Sequence, residues 1–313
     1  MEGGAILAAS NPFQLGFRDW KQIIGRTART MGQTDTSLRC AGVAFFSFLS
    51  IFPAIAIAVL MLGLFASEAF LTEQIGRAST FLPDIALTVI REQLESLINQ
   101  PRGGLGIGLA ISFSVALWSG SRGVWALVYA ASAAHHEKEK RGFIASVALS
   151  FAVTVLAALF MIVALALIAA IPIVARMSPV PGTAEQVAML LRWPALLVLA
   201  ILGFTLLYRF TLDRHPARLR WTWTGAILAS SLWLVTCVAF STYVENFGEF
   251  EASFGSLAAA VVLLLWLYIS ALIFVLGASL NAEMELQTAK DSTVGPSKPM
   301  GERGAYVADN ITG

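Results

Sequence analysis

The sequence predicts an all-α, polytopic membrane protein with six transmembrane helices, an N-terminal amphipathic helix and a short helix on the outer side. Three observations predict it. Hydrophobic residues make up 57% of the 313-residue chain and charged residues 13%, with a mean hydropathy of +0.73; an average soluble domain is roughly a quarter charged. Six apolar runs, at about 43–66, 104–131, 143–175, 193–210, 221–244 and 257–282, each reach or approach the ~20 residues that cross ~30 Å of hydrocarbon. Finally, Lys and Arg are segregated. Fifteen fall in the N-terminal segment, the loops after runs two and four, and the tail, against five in the other loops. The positive-inside rule then puts both termini in the cytoplasm.

Residues 1–40 form a cytoplasmic segment. Phe13, Phe17, Trp20 and Ile24 keep helical spacing, with Arg18, Lys21, Arg26 and Arg29 among them. Such a helix either lies on an anionic membrane surface or packs on the end of the bundle. The membrane domain covers 41–287, its first run acting as an uncleaved signal anchor. The third run is too long for a plain span, and Pro172 predicts a kink or an extension beyond the bilayer. Between runs one and two, Ala86, Ile90, Leu94 and Leu97 follow Pro83 at helical spacing and define the outer helix. Glu68, Glu73, Asp84, Glu92 and Glu95 give that segment a solvated acidic face. Residues 288–313 read as a flexible cytoplasmic tail.

The second run carries a stripe and a charge. Gly104, Gly108, Ser112, Ala116 and Gly120 recur every fourth residue, a face that lets another backbone approach closely. Arg122 lies 18 residues beyond Gly104, about 27 Å along a helix at ~1.5 Å per residue. That depth is near the inner headgroups, where an arginine can snorkel to phosphate. No Asp or Glu lies within an apolar run, so Arg122 otherwise pairs with Glu283, Asp213 or Glu137, or with an anionic lipid or substrate. A transport cavity reached by Arg122 is expected to be bordered by Ser119, Asn281 and Glu283.

Other chemistry is thinly represented. His135, His136 and Glu137 point in different directions on a helix and have no further ligand nearby in sequence, so they read as solvated loop residues, as does His215. Gly103–Gly108 follows no strand and lacks the GK[ST] of a nucleotide loop. Ser119 and Ser121 have no histidine in any apolar run to serve as base. Cys40 and Cys237 offer neither a disulfide framework nor a CxxC spacing. The expectation is therefore no catalysis, no metal, no cofactor and no nucleic-acid partner.

Five stretches carry a family resemblance: AFFSFLSIFPAIAIAVLMLGLF (44–65), WSGSRGVWALVYAA (118–131), EKRGF (139–143), YRFTLDRHPARLRW (208–221) and FGSL…LLLWLY…GASLNAE (254–283). Over about residues 20–287 the chain resembles the YihY/virulence factor BrkB family of bacterial inner-membrane proteins. Ser279 stands where such proteins usually have an acid, and Phe250 and Phe254 where tyrosine is common. The resemblance implies a six-helix protein of the cytoplasmic membrane. It also brings an older label, tRNA-processing ribonuclease, which these residues fit badly because no metal-ligand cluster activates water. The function expected is transport or handling of a lipid or other anionic envelope component. The alternative is a non-catalytic scaffold in envelope organisation or virulence.

Overall fold

The computed structural model describes residues 9, 11–65, 102–176, 181–245 and 256–311. A 3-10 turn (Pro12–Gln14) precedes α1 (Phe17–Met31), α2 (Thr34–Phe65), α3 (Arg102–Ala134), α4 (Phe143–Arg176), α5 (Pro181–Phe210), α6 (Leu219–Glu245), α7 (Ser256–Glu285) and α8 (Tyr306–Asp309). Among the described residues the only β feature is an isolated bridge between Ala217 and Thr293. Among the described residues, three helical segments are long and apolar enough to cross a membrane: Leu190–Phe210, Leu219–Tyr243 and Ala260–Glu285. Phe143–Ala157 is a shorter apolar stretch. The outer helix expected around 83–97 lies outside the described residues.

Boundaries moved where sequence chemistry was ambiguous. The amphipathic stretch divides at Gly32, whose N–H returns to Ala28 O, and α2 starts afresh at Thr34. Of the kink or extension expected at Pro172, the helix takes the second course and runs on as one element to Arg176. In α5 the helix begins at Pro181, well before the expected apolar run, and tolerates Pro194 inside it.

The chain divides into two compact units, Met1–Ala44 with Val124–Gly313, and Phe45–Gly123. In the first, α6 packs against both α5 and α7, α4 packs on α5, and α1 lies on α7. Its core is rich in alanine: Ala130, Ala131, Ala226, Ala229, Ala271 and Ala278 pack with Tyr208 and Phe274. Small side chains permit the close helix approach that association in lipid requires. The closest approach is at Gly225 and Gly277. A Cβ on Gly225 would run into Gly277 O, and one on Gly277 would run into Tyr208 Oη and come 2.7 Å from Gly225 O. Apolar residues turned outward, such as Phe151, Leu202 and Val235, are exposed, the distribution of a bundle whose surroundings are lipid.

In the second unit a Cβ on Gly123 would meet Ser47 N at 3.4 Å. At Gly120, where the sequence predicted a packing contact, nothing lies within 4 Å of the missing Cβ. Side chains at Gly104, Gly108, Ser112 and Ala116 are outside the described set.

Candidate functional site

The polar residues of the first unit gather where α5, α6 and α7 meet the loops and tail. Three levels can be followed along the end of α7. At the first, Asn281 is fully buried and bridges to α6: its Oδ1 accepts from Gly225 N (2.8 Å) and its Nδ2 donates to Thr222 O (3.0 Å). The glycine approach one turn earlier brings the backbones near enough for that bridge.

At the second level α7 holds α1. Arg26 Nε donates to Glu283 Oε2 (2.5 Å) and its NH2 to Gln287 Oε1 (2.7 Å). Gln287 Nε2 donates in turn to Asp19 Oδ1 (3.1 Å), while Asp19 Oδ2 accepts from Gly16 N (2.8 Å) and so closes the first turn of α1. Asp19, Ile23 and Thr27, spaced by four, form the buried face. Phe17 and Ile24 remain exposed. One face of α1 thus packs on the bundle end, and its other face stays open with Lys21 on it.

The third level is Glu285 with Arg214, a two-pronged pair at 2.7 and 3.2 Å. Their side chains are 0% and 2% exposed. Ser292 Oγ also donates to Glu285 Oε2 (2.6 Å). Such a pair holds its position only because the fork geometry and the extra hydrogen bond match both charges. His135 lies beside it, fully buried, with Nδ1 on Ala131 O (3.0 Å). Burial, and after it the nearby Arg214 charge, hold the His135 pKa well below the ordinary histidine value. The expectation that His135 is solvated is therefore wrong: the last turn of α3 tucks its ring inward. His136, in the left-handed region at φ 55°, is exposed, its ring centroid 5.4 Å from that of Tyr306 and tilted 45° to it.

The tail expected to be flexible instead follows a defined course across this end. Arg218 donates to Thr293 O (2.8 Å) and Gly295 O (3.2 Å). Arg303 donates to Ala308 O, Ala289 O and Lys298 O at 2.6–3.1 Å. Asp309 accepts from the N–H groups of Gly301, Arg303 and Gly304 at 2.7–3.1 Å, a turn that uses positive φ at Gly301 and Gly304. Tyr306 N donates to Glu137 Oε1 (2.6 Å) and ties the tail to the loop after α3. Burial raises the Glu137 pKa, outweighing that hydrogen bond and the Arg214 and Lys140 charges.

The loop between α3 and α4 is closed by Arg141, which caps the C-terminal end of α5 by donating to Thr211 O (2.7 Å) and Leu212 O (2.8 Å). Asp213 Oδ2 accepts from Lys140 N (2.9 Å).

Arg122 and the three residues expected to border the cavity it reaches have different fates. Asn281 and Glu283 spend their polar atoms on α6 and α1. Ser119 is buried and its Oγ donates to Val115 O (2.8 Å). Arg122 is exposed on α3 with its guanidinium 6.0 Å from the Trp118 ring. Sequence reasoning missed Arg214 and Glu285, although Glu285 follows Asn281 by four residues on one helix face. It also used Arg209 and Arg220 for topology alone. Neither has an acidic partner among the described residues, and the buried Nε of each has no hydrogen-bond partner. Arg209 ends α5, where a cation suits the helix dipole. Arg220 sits in the first turn of α6, where it does not.

The chain matches the virulence factor BrkB family over residues 27–301. It belongs to that family. Among its relatives is the Bacillus subtilis protein YfkH, named as ribonuclease-like, 28% identical over 267 residues that cover 84% of this chain and 93% of the relative. Another is a UPF0761 membrane protein of Pseudoalteromonas translucida, 24% identical over 291 residues, or 87% of this chain and 88% of that protein. No solved structure matches. The chain is thus a membrane protein of the BrkB family, and its GASLNAE segment supplies Asn281 and Glu283 to the polar end. Among the described residues, no group of three or more His, Cys, Asp or Glu converges to hold a metal.

Proposed function

We propose that this BrkB protein binds and handles an anionic lipid, or another anionic component of the envelope, at the cytoplasmic face of the bacterial inner membrane, without a chemical step. The reading includes six spans and cytoplasmic termini, with the apolar runs at 43–66, 104–131 and 143–175 completing the three long apolar segments. The observation that carries it is Arg220. A cation in the first turn of α6, with a buried Nε and no acid among the described residues, is compensated by an anion from outside the chain. The inner headgroup layer supplies phosphates at that level, each basic residue near it being worth about 1 kcal/mol. Arg122, exposed beside Trp118, meets the same chemistry on α3.

A second reading, a non-catalytic scaffold in envelope organisation, is favoured by the tail, whose turns and arginine contacts form a polar cap suited to partner proteins. Reconstitution separates the readings. Vesicles containing the purified protein and a headgroup-labelled anionic lipid should exchange that lipid between leaflets faster than protein-free vesicles, and R220Q should slow the exchange. Rates equal to those of protein-free vesicles would overturn handling by translocation. Cleavage of tRNA precursors with divalent metal, lost on substitution of His135 and His136, would support the enzymatic label that the YfkH relative carries.

A further inference from the structure

A pocket opens between the last turns of α3 and the first turns of α4, lined by Val124, Trp125, Val128, Glu139, Ser146 and Ser150, with Leu149 beside them. Glu139 is its one charged wall. Its side chain is 7% exposed, and Oε2 is buried without a hydrogen-bond partner. A buried carboxylate oxygen left this way calls for a donor. Arg141 does not supply one. Its guanidinium pairs in charge with Oε2 at 3.7 Å, too far for a hydrogen bond, while NH1 and NH2 donate to Thr211 O and Leu212 O. The serines are also committed in part, Ser146 Oγ donating to Gly142 O at 3.0 Å.

The size of the space selects the donor. The centre of a water-sized group has about 10 Å³ to move in, close to the minimum for a single water, roughly 10–15 Å³. A primary ammonium is of that size and a trimethylammonium is not. Around the carboxylate the walls are apolar and aromatic, which suits a cation stripped of most of its water. Lys138 and Lys140, both exposed, flank Glu139 in the chain and favour an anion beside this loop. Ammonium inside and phosphate outside, one short linker apart, is the headgroup of an aminophospholipid.

We propose that this pocket binds the primary ammonium of a phosphatidylethanolamine-type lipid on Glu139 Oε2, with its phosphate at the mouth near Lys138 and Lys140. A small rotation about the broad terminal torsion of Glu139 turns Oε2 toward the ammonium. The proposal rests on the lipid-handling reading for the headgroup layer beside this loop, and extends it to a lipid class recognised by its cation.

Native mass spectrometry of the full-length protein in mixed micelles containing phosphatidylethanolamine, phosphatidylcholine or phosphatidylglycerol at equal mole fraction tests it. Phosphatidylethanolamine should be retained over phosphatidylcholine, and E139Q should reduce that preference about tenfold, the scale of one charge-assisted hydrogen bond. Phosphatidylglycerol retention should not change. S150V, which fills the pocket and leaves the carboxylate in place, should remove the same preference and serves if E139Q fails to fold. Equal retention of the ethanolamine and choline lipids by the wild type, or an undiminished preference in a folded E139Q or S150V, would overturn the site. Retention reads binding alone, so this result and the exchange rate in vesicles can fail independently.

Discussion

Arg214 and Arg220 lie six residues apart, yet they solve opposite problems. Arg214 is enclosed with Glu285 and Ser292, and every charge there has its match inside the chain. Arg220 has a buried Nε with no partner and sits at the helix end that repels cations. The difference teaches how to read charge at the end of a membrane bundle. An arginine whose donors are spent on carboxylates and carbonyls, such as Arg26, Arg141, Arg214 or Arg303, holds the fold. Arg209 and Arg220 instead each keep a buried Nε without a hydrogen-bond partner, and the Arg209 guanidinium lies 5.7 Å from the Phe210 ring.

The largest test of this division is at Glu285. E285A leaves Arg214 buried and unpaired, and should cost about 3–5 kcal/mol measured by denaturant or thermal unfolding in detergent. R214M/E285L, which removes both charges, should cost clearly less than either single change. An additive double mutant would show that the pair is not a coupled unit. G277A should cost somewhat less, about 1–3 kcal/mol, because a new Cβ meets Tyr208 Oη and Gly225 O and the α6–α7 contact has to open. Its effect should appear as lost stability with Asn281 detached from Gly225.

The effect of pH through His135 is smaller. Its folded-state pKa lies below that of the unfolded chain, so below about pH 6.5 the unfolded state binds the extra proton. Stability is complete above that pH and declines as pH falls, by at most about 1.4 kcal/mol per pH unit from this group. Melting temperatures taken between pH 7.5 and 5 should fall less steeply in H135Q than in the wild type. Parallel slopes would mean that this ring does not titrate in the unfolding transition.

Much of this architecture was legible in the sequence, and the part that was not has a physical reason. Long apolar runs mark where helices form, since in lipid only a helix satisfies a segment's backbone groups within that segment. The GASLNAE segment marked Asn281 and Glu283 as important. Their work was not legible, because their partners Gly225 and Arg26 are 56 and 257 residues away in the chain. The small-residue stripe on α3 pointed to close packing, but Gly120 faces open space and the close approach is at Gly225 and Gly277. Glycine spacing says where an approach is allowed, and the partner helix decides where it happens. For α1, the Phe13, Phe17, Trp20 and Ile24 pattern suggested one apolar face, set on the membrane surface or on the bundle end; Trp20 does pack on the buried cluster, while Phe13, Phe17 and Ile24 stay exposed. The face that docks runs through Asp19 and Thr27, because Gln287 reaches Asp19 and the Arg26–Glu283 bond fixes the rotation.

The most direct test of the division between matched and unmatched arginines is the R209Q/R220Q double variant, compared with wild type for melting temperature and for binding to phosphatidylglycerol over phosphatidylcholine in nanodiscs. The account predicts an unchanged melting temperature and a preference for the anionic lipid reduced roughly fivefold per arginine, the equivalent of about 1 kcal/mol each. An unchanged lipid preference, or a loss of stability as large as that of E285A, would contradict it.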